Sequence, residues 1–457
     1  MANETEILAR YVAELEYDRL PPEVPKRAKS LAMDFIGSVV RAARDADSTP
    51  SLLGAVKDLG LDGPGDATAF GLGRRYAPPI AALLNGALGH SLDFDDTHAD
   101  SSLHPSAPVV PAAMAAAEMV GASGRDLLTA IVAGYEVCCR LGNALDPTAH
   151  YARGFHPTAT AGAFGAAAAA GKIFGLSAAA LVSAFGVAAS QAAGSLQFLV
   201  NGAWNKRYQV GAAAMNGLLA ASLARRGFKG AVESLEGKHG FLAGYSDSAQ
   251  PEKAVADLGA VFETMKIGLK PYPSCRYTHA ALDGLLALRA ERGLDAADFE
   301  EVTIGLHRNG IVLTAAPLTE KRRARGVVDG QFSMPFTAGV AIHQGRFGWD
   351  DYRLLGNPEV EAIADRVNVV QDDRLEGRRH PFGAHLRVRT RGEIVERLIA
   401  DPSGEPETFP SAAALSEKFL LLARPVLEDG AQALSAKLSH LEDIADFRAA
   451  MRALPRA

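Results

Sequence analysis

Residues 173–205 contain no charged side chain, and they follow a run at 165–171 in which two Gly flank five Ala. A stretch that long can cross a bilayer by length alone, or it can lie inside a large soluble protein. It also holds Ser177, Ser183, Ser190, Gln191, Ser195, Gln197 and Asn201, with Gly at 175, 186, 194 and 202. That content fits a buried helix pair better than a lipid-facing span. Small side chains let helix backbones approach closely, so these segments predict central helices with neighbours on most sides. A chain of 457 residues is too long for one core, and two domains are expected.

Apolar residues recur at helical spacing through the first ~260 residues, as in Ile7, Leu8, Tyr11, Val12 and Leu15 and again in Val24, Ala28, Leu31, Phe35 and Val39. Further helices are expected over 111–120, 124–141, 159–174, 177–195 and 211–226. After about residue 265 the texture changes. Val302, Ile304 and Leu306 alternate with polar neighbours, as do Leu386, Val388 and Thr390, which is strand periodicity. Arg391-Gly392-Glu393 reads as a turn into a returning strand over 394–399, and helices are expected over 278–292, 334–343 and 358–364. Helical spacing returns after the Pro-rich loop 401–410. The expected fold is mainly α with an α+β part: an all-helical domain from 1–265 and 401–457, and a smaller α+β lid over 266–400.

The net charge is −6, and 266–400 carries 20 basic against 18 acidic residues, most of the basic ones Arg. No basic excess speaks for nucleic acid or an anionic membrane. An Arg-rich smaller domain beside an acidic larger one suits an anionic ligand, although Arg is also a common surface base. Cys138, Cys139 and Cys275 form no CxxC pair, and the first residues carry acid where an export signal needs positive charge. A cytoplasmic protein is the expectation.

The densest polar constellation spans 90–108: His90, Asp93, Asp95, Asp96, Thr97, His98, Asp100 and His104 lie between two apolar helical stretches. Helix capping, metal ligation and metal-free acid–base chemistry all suit these residue types. His156, before Pro157 at a helix start, has its pKa pushed down by the helix dipole and could serve as a neutral base. Lys206-Arg207, directly after the uncharged run, could hold an anion or form a surface turn. Lys270, Arg276 and His279 cluster in a Pro-stiffened loop at the inferred domain boundary. No nucleophile elbow, P-loop or dinucleotide fingerprint accompanies them. Several His, Asp and cations together suit proton abstraction beside a carboxylate.

These motifs, namely Asp93-Phe-Asp-Asp-Thr-His with His104-Pro-Ser-Ala-Pro, Phe155-His-Pro-Thr, Lys206-Arg with Gly211, and Lys270-Pro-Tyr-Pro-Ser-Cys-Arg-Tyr-Thr-His279, resemble the MmgE/PrpD family over nearly the whole chain. The resemblance implies a helical domain built from both chain ends and an α+β lid. It implies a homodimer, no metal and no organic cofactor. Its active-site positions fall on Asp93, Thr97, His104, His156, Lys206 and Lys270, with Arg207, Arg276 and His279 as substrate contacts. The implied activity is a lyase acting on a small di- or tricarboxylic acid, first of all a 2-methylcitrate dehydratase-like hydro-lyase. An iminodisuccinate-type epimerase and a cis-aconitate-type decarboxylase are the alternatives within the family. A metal-dependent hydrolase using Asp93, Asp95, Asp96 and His98 is the rival from another class.

Overall fold

The computed structural model describes residues 3–377 and 381–454. The chain forms two compact units, Met1–Gly268 with Ser411–Ala457, and Leu269–Pro410. The first is built of helices. Its centre is the Ala-rich helix Pro157–Ile173, whose residues are buried from Pro157 to Gly171. Gly134 and Gly165 meet here: a Cβ at Gly165 would lie 2.8 Å from the Gly134 carbonyl oxygen. The small residues therefore do what their spacing suggests, drawing helices into backbone contact.

The same device sets the site. A Cβ on Gly211, in helix Asn205–Arg225, would sit 2.3 Å from the carbonyl oxygen of Leu83 in helix Pro78–Gly89. A Cβ on Gly86 would sit 2.8 Å from the Gly211 Cα. Only hydrogen fits at this crossing. Helix Asn205–Arg225 starts six residues earlier than its apolar periodicity predicts, so Lys206 and Arg207 occupy its first turn. The uncharged run is also less buried than expected. Its helix Ala178–Ala189 buries Leu181, Ala184, Phe185, Gly186 and Ala188, but Leu199 and Val200 are exposed. Among the described residues, no helix is long and apolar enough to cross a membrane.

The second unit holds a four-stranded sheet in the order Val367–Gln371, Phe299–Leu306, Ala384–Thr390, Glu393–Ile399. The first pair is parallel, with Val302 opposite Val367, and the others are antiparallel. Arg391 and Gly392 both take positive φ, 48° and 78°, as a two-residue hairpin turn of matching twist requires. Val302, Ile304, Leu306, Leu386 and Val388 pack against Leu285, Leu288, Met334 and Ile342 of helices His279–Arg292 and Met334–Gln344. The α class and the α+β part are both present.

Candidate active site

Helix Pro78–Gly89 ends at His90, which is buried. The chain then turns through Asp93 at φ 53°, a left-handed conformation that Asp tolerates better than most residues. That turn points successive acids in different directions. Asp93 Oδ1 accepts from Lys206 Nζ at 2.7 Å. Asp95 Oδ2 lies 2.6 Å from His90 Nδ1, with both side chains fully buried. Asp96 turns to the start of helix Ser106–Val120, where its carboxylate accepts from the Ser106 hydroxyl at 2.6 Å and from the Ser106 backbone N–H. Burial, then the neighbouring charge of Asp95, pushes the Asp96 carboxyl well above its ordinary pKa. The loop is braced by the C-terminal segment: Lys418 Nζ bonds to Asp34 and to the Phe94 carbonyl and sits 3.8 Å from the centre of the Phe94 ring.

Thr97 and His98 form a two-residue strand against Ile267–Gly268. The Thr97 hydroxyl oxygen is buried and has no hydrogen-bond partner among the described residues, so it can serve a ligand. His98 faces away from this chemistry. Its Nδ1 contacts Ser101 Oγ at 2.7 Å and its Nε2 contacts Glu263 at 3.0 Å. Burial raises the Glu263 pKa, but hydrogen bonds and charge from His98 and Lys266 outweigh it and bring the group to about 2.

His104 donates from Nδ1 to the Asp96 carbonyl at 2.6 Å, and its backbone N–H donates to Thr158 Oγ1. Its side chain is 16% exposed, whereas that of His90 is fully buried. His156 caps the start of helix Pro157–Ile173 but makes no side-chain capping bond. Its Nδ1 is 2.8 Å from Gln209 Nε2. The pKa of His156 lies well below the usual imidazole range, as expected. Burial is the main cause, followed by the charges of His90 and Lys206. The three imidazoles form one cluster, with His90 4.9 Å from His104 and 5.9 Å from His156 between ring centres.

Asp93, Thr97, His104, His156 and Lys206 thus lie on adjoining elements of the first unit. The other expected contacts have different surroundings. Arg207 points its Nη1 toward Ser48 Oγ at 3.4 Å, and burial lowers its pKa. Lys270 is buried in the second unit, two residues beyond Gly268, the residue paired with Thr97. Arg276 and His279, expected as substrate contacts, are bonded within their own unit. Arg276 bonds to Glu405 at 2.7 and 2.9 Å and to the carbonyls of Leu269 and Ser403. His279 Nδ1 accepts from Arg276 at 2.9 Å, and its Nε2 lies 3.1 Å from the Ser274 carbonyl. A guanidinium already neutralised by a buried carboxylate fastens its own loop. The proposed hydrolase cluster also fails to assemble, because Asp93, Asp95, Asp96 and His98 each serve a different partner. Among the described residues, the donor atoms that converge within 4.8 Å belong to two other sets, His90, Asp95 and His104, and His98, Asp100 and Glu263.

One residue beside the site, Gln209, escaped the sequence reading. His90 and Asp95 lay inside the recognised constellation, but their pairing over five residues gave no signal apart from proximity. Gln209 shares a helix face with Lys206 at a spacing of three. The late expected start of that helix hid the relation.

The MmgE/PrpD N-terminal domain profile matches residues 6–254, and the MmgE/PrpD C-terminal domain profile matches residues 272–442. The chain belongs to the MmgE/PrpD family. The N-terminal match contains the whole His, Asp and Lys206 cluster, whereas Lys270 falls between the two matched stretches. Among curated relatives, the cis-aconitate decarboxylase-like protein oryM of Aspergillus oryzae is 28% identical over 97% of this chain and 95% of its own length. A cis-aconitate decarboxylase of Aspergillus terreus is 28% identical over 96% of this chain and 92% of its own. The human cis-aconitate decarboxylase is 30% identical over 79% and 77%. This MmgE/PrpD member is an enzyme, and the lyase class fits it.

Proposed function

We propose that the enzyme removes carbon dioxide from a small unsaturated tricarboxylate of the cis-aconitate kind, using its own side chains for the proton transfer. The observation that carries this reading is the packing of His104 and His156 against His90, at 4.9 and 5.9 Å between ring centres, with Asp95 bonded to His90 and Lys206 paired with Asp93. In such a reaction one C–C bond breaks, its electron pair passes into the unsaturated skeleton, and a proton is delivered to carbon. An imidazole supplies that proton. Lys206 gives one of its three N–H groups to Asp93, and the others suit a substrate carboxylate. Near-full-length similarity to cis-aconitate decarboxylases favours this outcome over dehydration of a 2-methylcitrate-like acid. Dehydration is the second reading. It keeps the same proton chemistry and draws on the motif resemblance.

The test is NMR of reactions in deuterium oxide with cis-aconitate, 2-methylcitrate and iminodisuccinate. The expected product of cis-aconitate has lost one carboxylate and carries deuterium on carbon. Turnover of 2-methylcitrate alone would replace decarboxylation by dehydration. EDTA should leave the rate unchanged. A loss restored by Zn or Mn would assign His90, Asp95 and His104 to a cation instead. The homodimer that the resemblance implies belongs to the same proposal and is checked by sedimentation.

A further inference from the structure

Gln209 touches two groups of opposite kind. Its Oε1 lies 3.1 Å from the backbone N–H of Ser195, and its Nε2 lies 2.8 Å from His156 Nδ1. An amide flip is normally a choice between equals, but a backbone N–H can only donate. Ser195 therefore demands the oxygen of Gln209, and the NH₂ group must face His156. That group in turn can only donate, so His156 Nδ1 must accept. A neutral imidazole has one N–H, and it is left on Nε2.

The arrangement is held on several sides. The His156 backbone N–H donates to the Gly194 carbonyl at 3.0 Å, and Phe155 bridges Ser195. A Cβ at Gly194 would lie 2.7 Å from Ala159 Cβ, so the 194–195 segment reaches the helix only as glycine. Gln209 itself sits one turn beyond Lys206, on the helix whose position the Gly86–Gly211 crossing sets. The low pKa of His156, caused first by burial, keeps the ring neutral at pH 7.

We propose that Gln209 is a positioning residue that fixes the proton of neutral His156 on Nε2, making His156 a hydrogen-bond donor to the retained substrate carboxylate into which the released electron pair passes, rather than a base. Donors aimed at growing negative charge in a water-poor site stabilise it strongly. Proton transfer then falls to His104. Its Nδ1–H is committed to the Asp96 carbonyl, so Nε2 is the atom that takes up a proton from solvent and, from the imidazolium, passes it to carbon. The sequence reading left open which His is base and which is acid, and Gln209 separates them. The effect on rate rests on the lyase reading above. The position of the proton does not.

The experiment is long-range ¹H–¹⁵N correlation on the full chain labelled at histidine, with His156 assigned by comparison with His156→Asn. The expected pattern is a pyridine-type Nδ1 and a pyrrole-type Nε2. Gln209→Glu keeps the shape but can only accept from Ser195 and His156. It should reverse the pattern and lower kcat about tenfold or more on whichever acid the wild type turns over, with a smaller change in KM. Wild-type His156 with its proton on Nδ1 overturns the proposal even if the variant fails to fold. Reversal of the tautomer with undiminished kcat overturns it as well. A wild type inactive on every tricarboxylate would sink the lyase reading, while the wild-type spectrum would still decide the role of Gln209.

Discussion

Asp95→Asn isolates the charge at the centre of the imidazole cluster. Asn matches Asp in size, and its carbonyl oxygen can still accept from His90 Nδ1, 2.6 Å from the present Oδ2. What disappears is the negative charge. A hydrogen bond to a charged group contributes about 1.5–3 kcal/mol and a neutral one about 0.5–1.5, so the fold should lose roughly 1–2 kcal/mol. The rate should fall further, because a protonated imidazole cluster loses the buried counter-charge of Asp95 during reaction. A drop on the order of 10²–10⁴-fold in kcat is expected, the range of a positioned acid–base group. Asp93→Asn is the control, since it removes the charge opposite Lys206 and leaves the His90 pair intact. The motif resemblance alone, which puts only Asp93 in the site, predicts that Asp95→Asn is the milder change. The geometry reverses that order. A second readout is Asp96, whose pKa is raised by burial and then by the Asp95 charge, and it should titrate lower in the variant. Steady-state kinetics and thermal melting of both variants decide the matter. An Asp95→Asn enzyme that melts normally and retains half its turnover would refute the reasoning.

His104→Ala and His156→Ala should each reduce turnover by about 10²–10⁴-fold with smaller effects on KM; near-normal kcat in either would make that ring structural. Lys206→Met should lose about 3–4 kcal/mol of transition-state stabilisation, by analogy with an oxyanion donor, and Lys206→Arg should rescue KM better than kcat. Lys270→Met, run beside it, tests the role that the family resemblance gives Lys270. Gly211→Ala should destabilise the chain by about 1–3 kcal/mol and lower activity, because its Cβ would meet the Leu83 carbonyl at 2.3 Å, and an unchanged melting temperature would contradict the crossing. Glu118 is buried with a pKa pushed up to about 7, so its charged form is disfavoured in the fold, and stability should fall as pH rises from about 4.5 through about 7. Glu118→Gln should remove that loss, up to about 3 kcal/mol, and melting curves that stay parallel between pH 5 and 8 would count against it.

Much of the fold was legible because its signals are local. Apolar spacing marked the helices, alternation marked 302–306 and 386–390, and the positive φ pair Arg391-Gly392 stands where a turn was expected. Helix starts were less legible. The polar first turn of Asn205–Arg225 carries no apolar periodicity, so Lys206 and Arg207 fitted an anion site or a surface turn equally well and Gln209 gave no signal. Their order, charges and motif identities were nevertheless readable, and they sufficed to place Asp93, Thr97, His104, His156 and Lys206 among the candidates.

The sequence by itself determined which residue types were present and which family they belong to, because those are properties of covalent order. Only the tertiary structure decided what each polar group faces. Asp93, Asp95 and Asp96 are near neighbours in the chain and chemically alike. A left-handed turn at Asp93 sends one to Lys206, one to His90 and one to Ser106. Arg276 is a cation that sequence alone offers to a substrate, until Glu405, 129 residues away, neutralises it. A hydrogen bond depends on a few tenths of an ångström and on which partner can donate, and neither is written in residue spacing. The proton on His156 follows from Ser195 through Gln209, a relation that exists only once two helices have closed on their glycines.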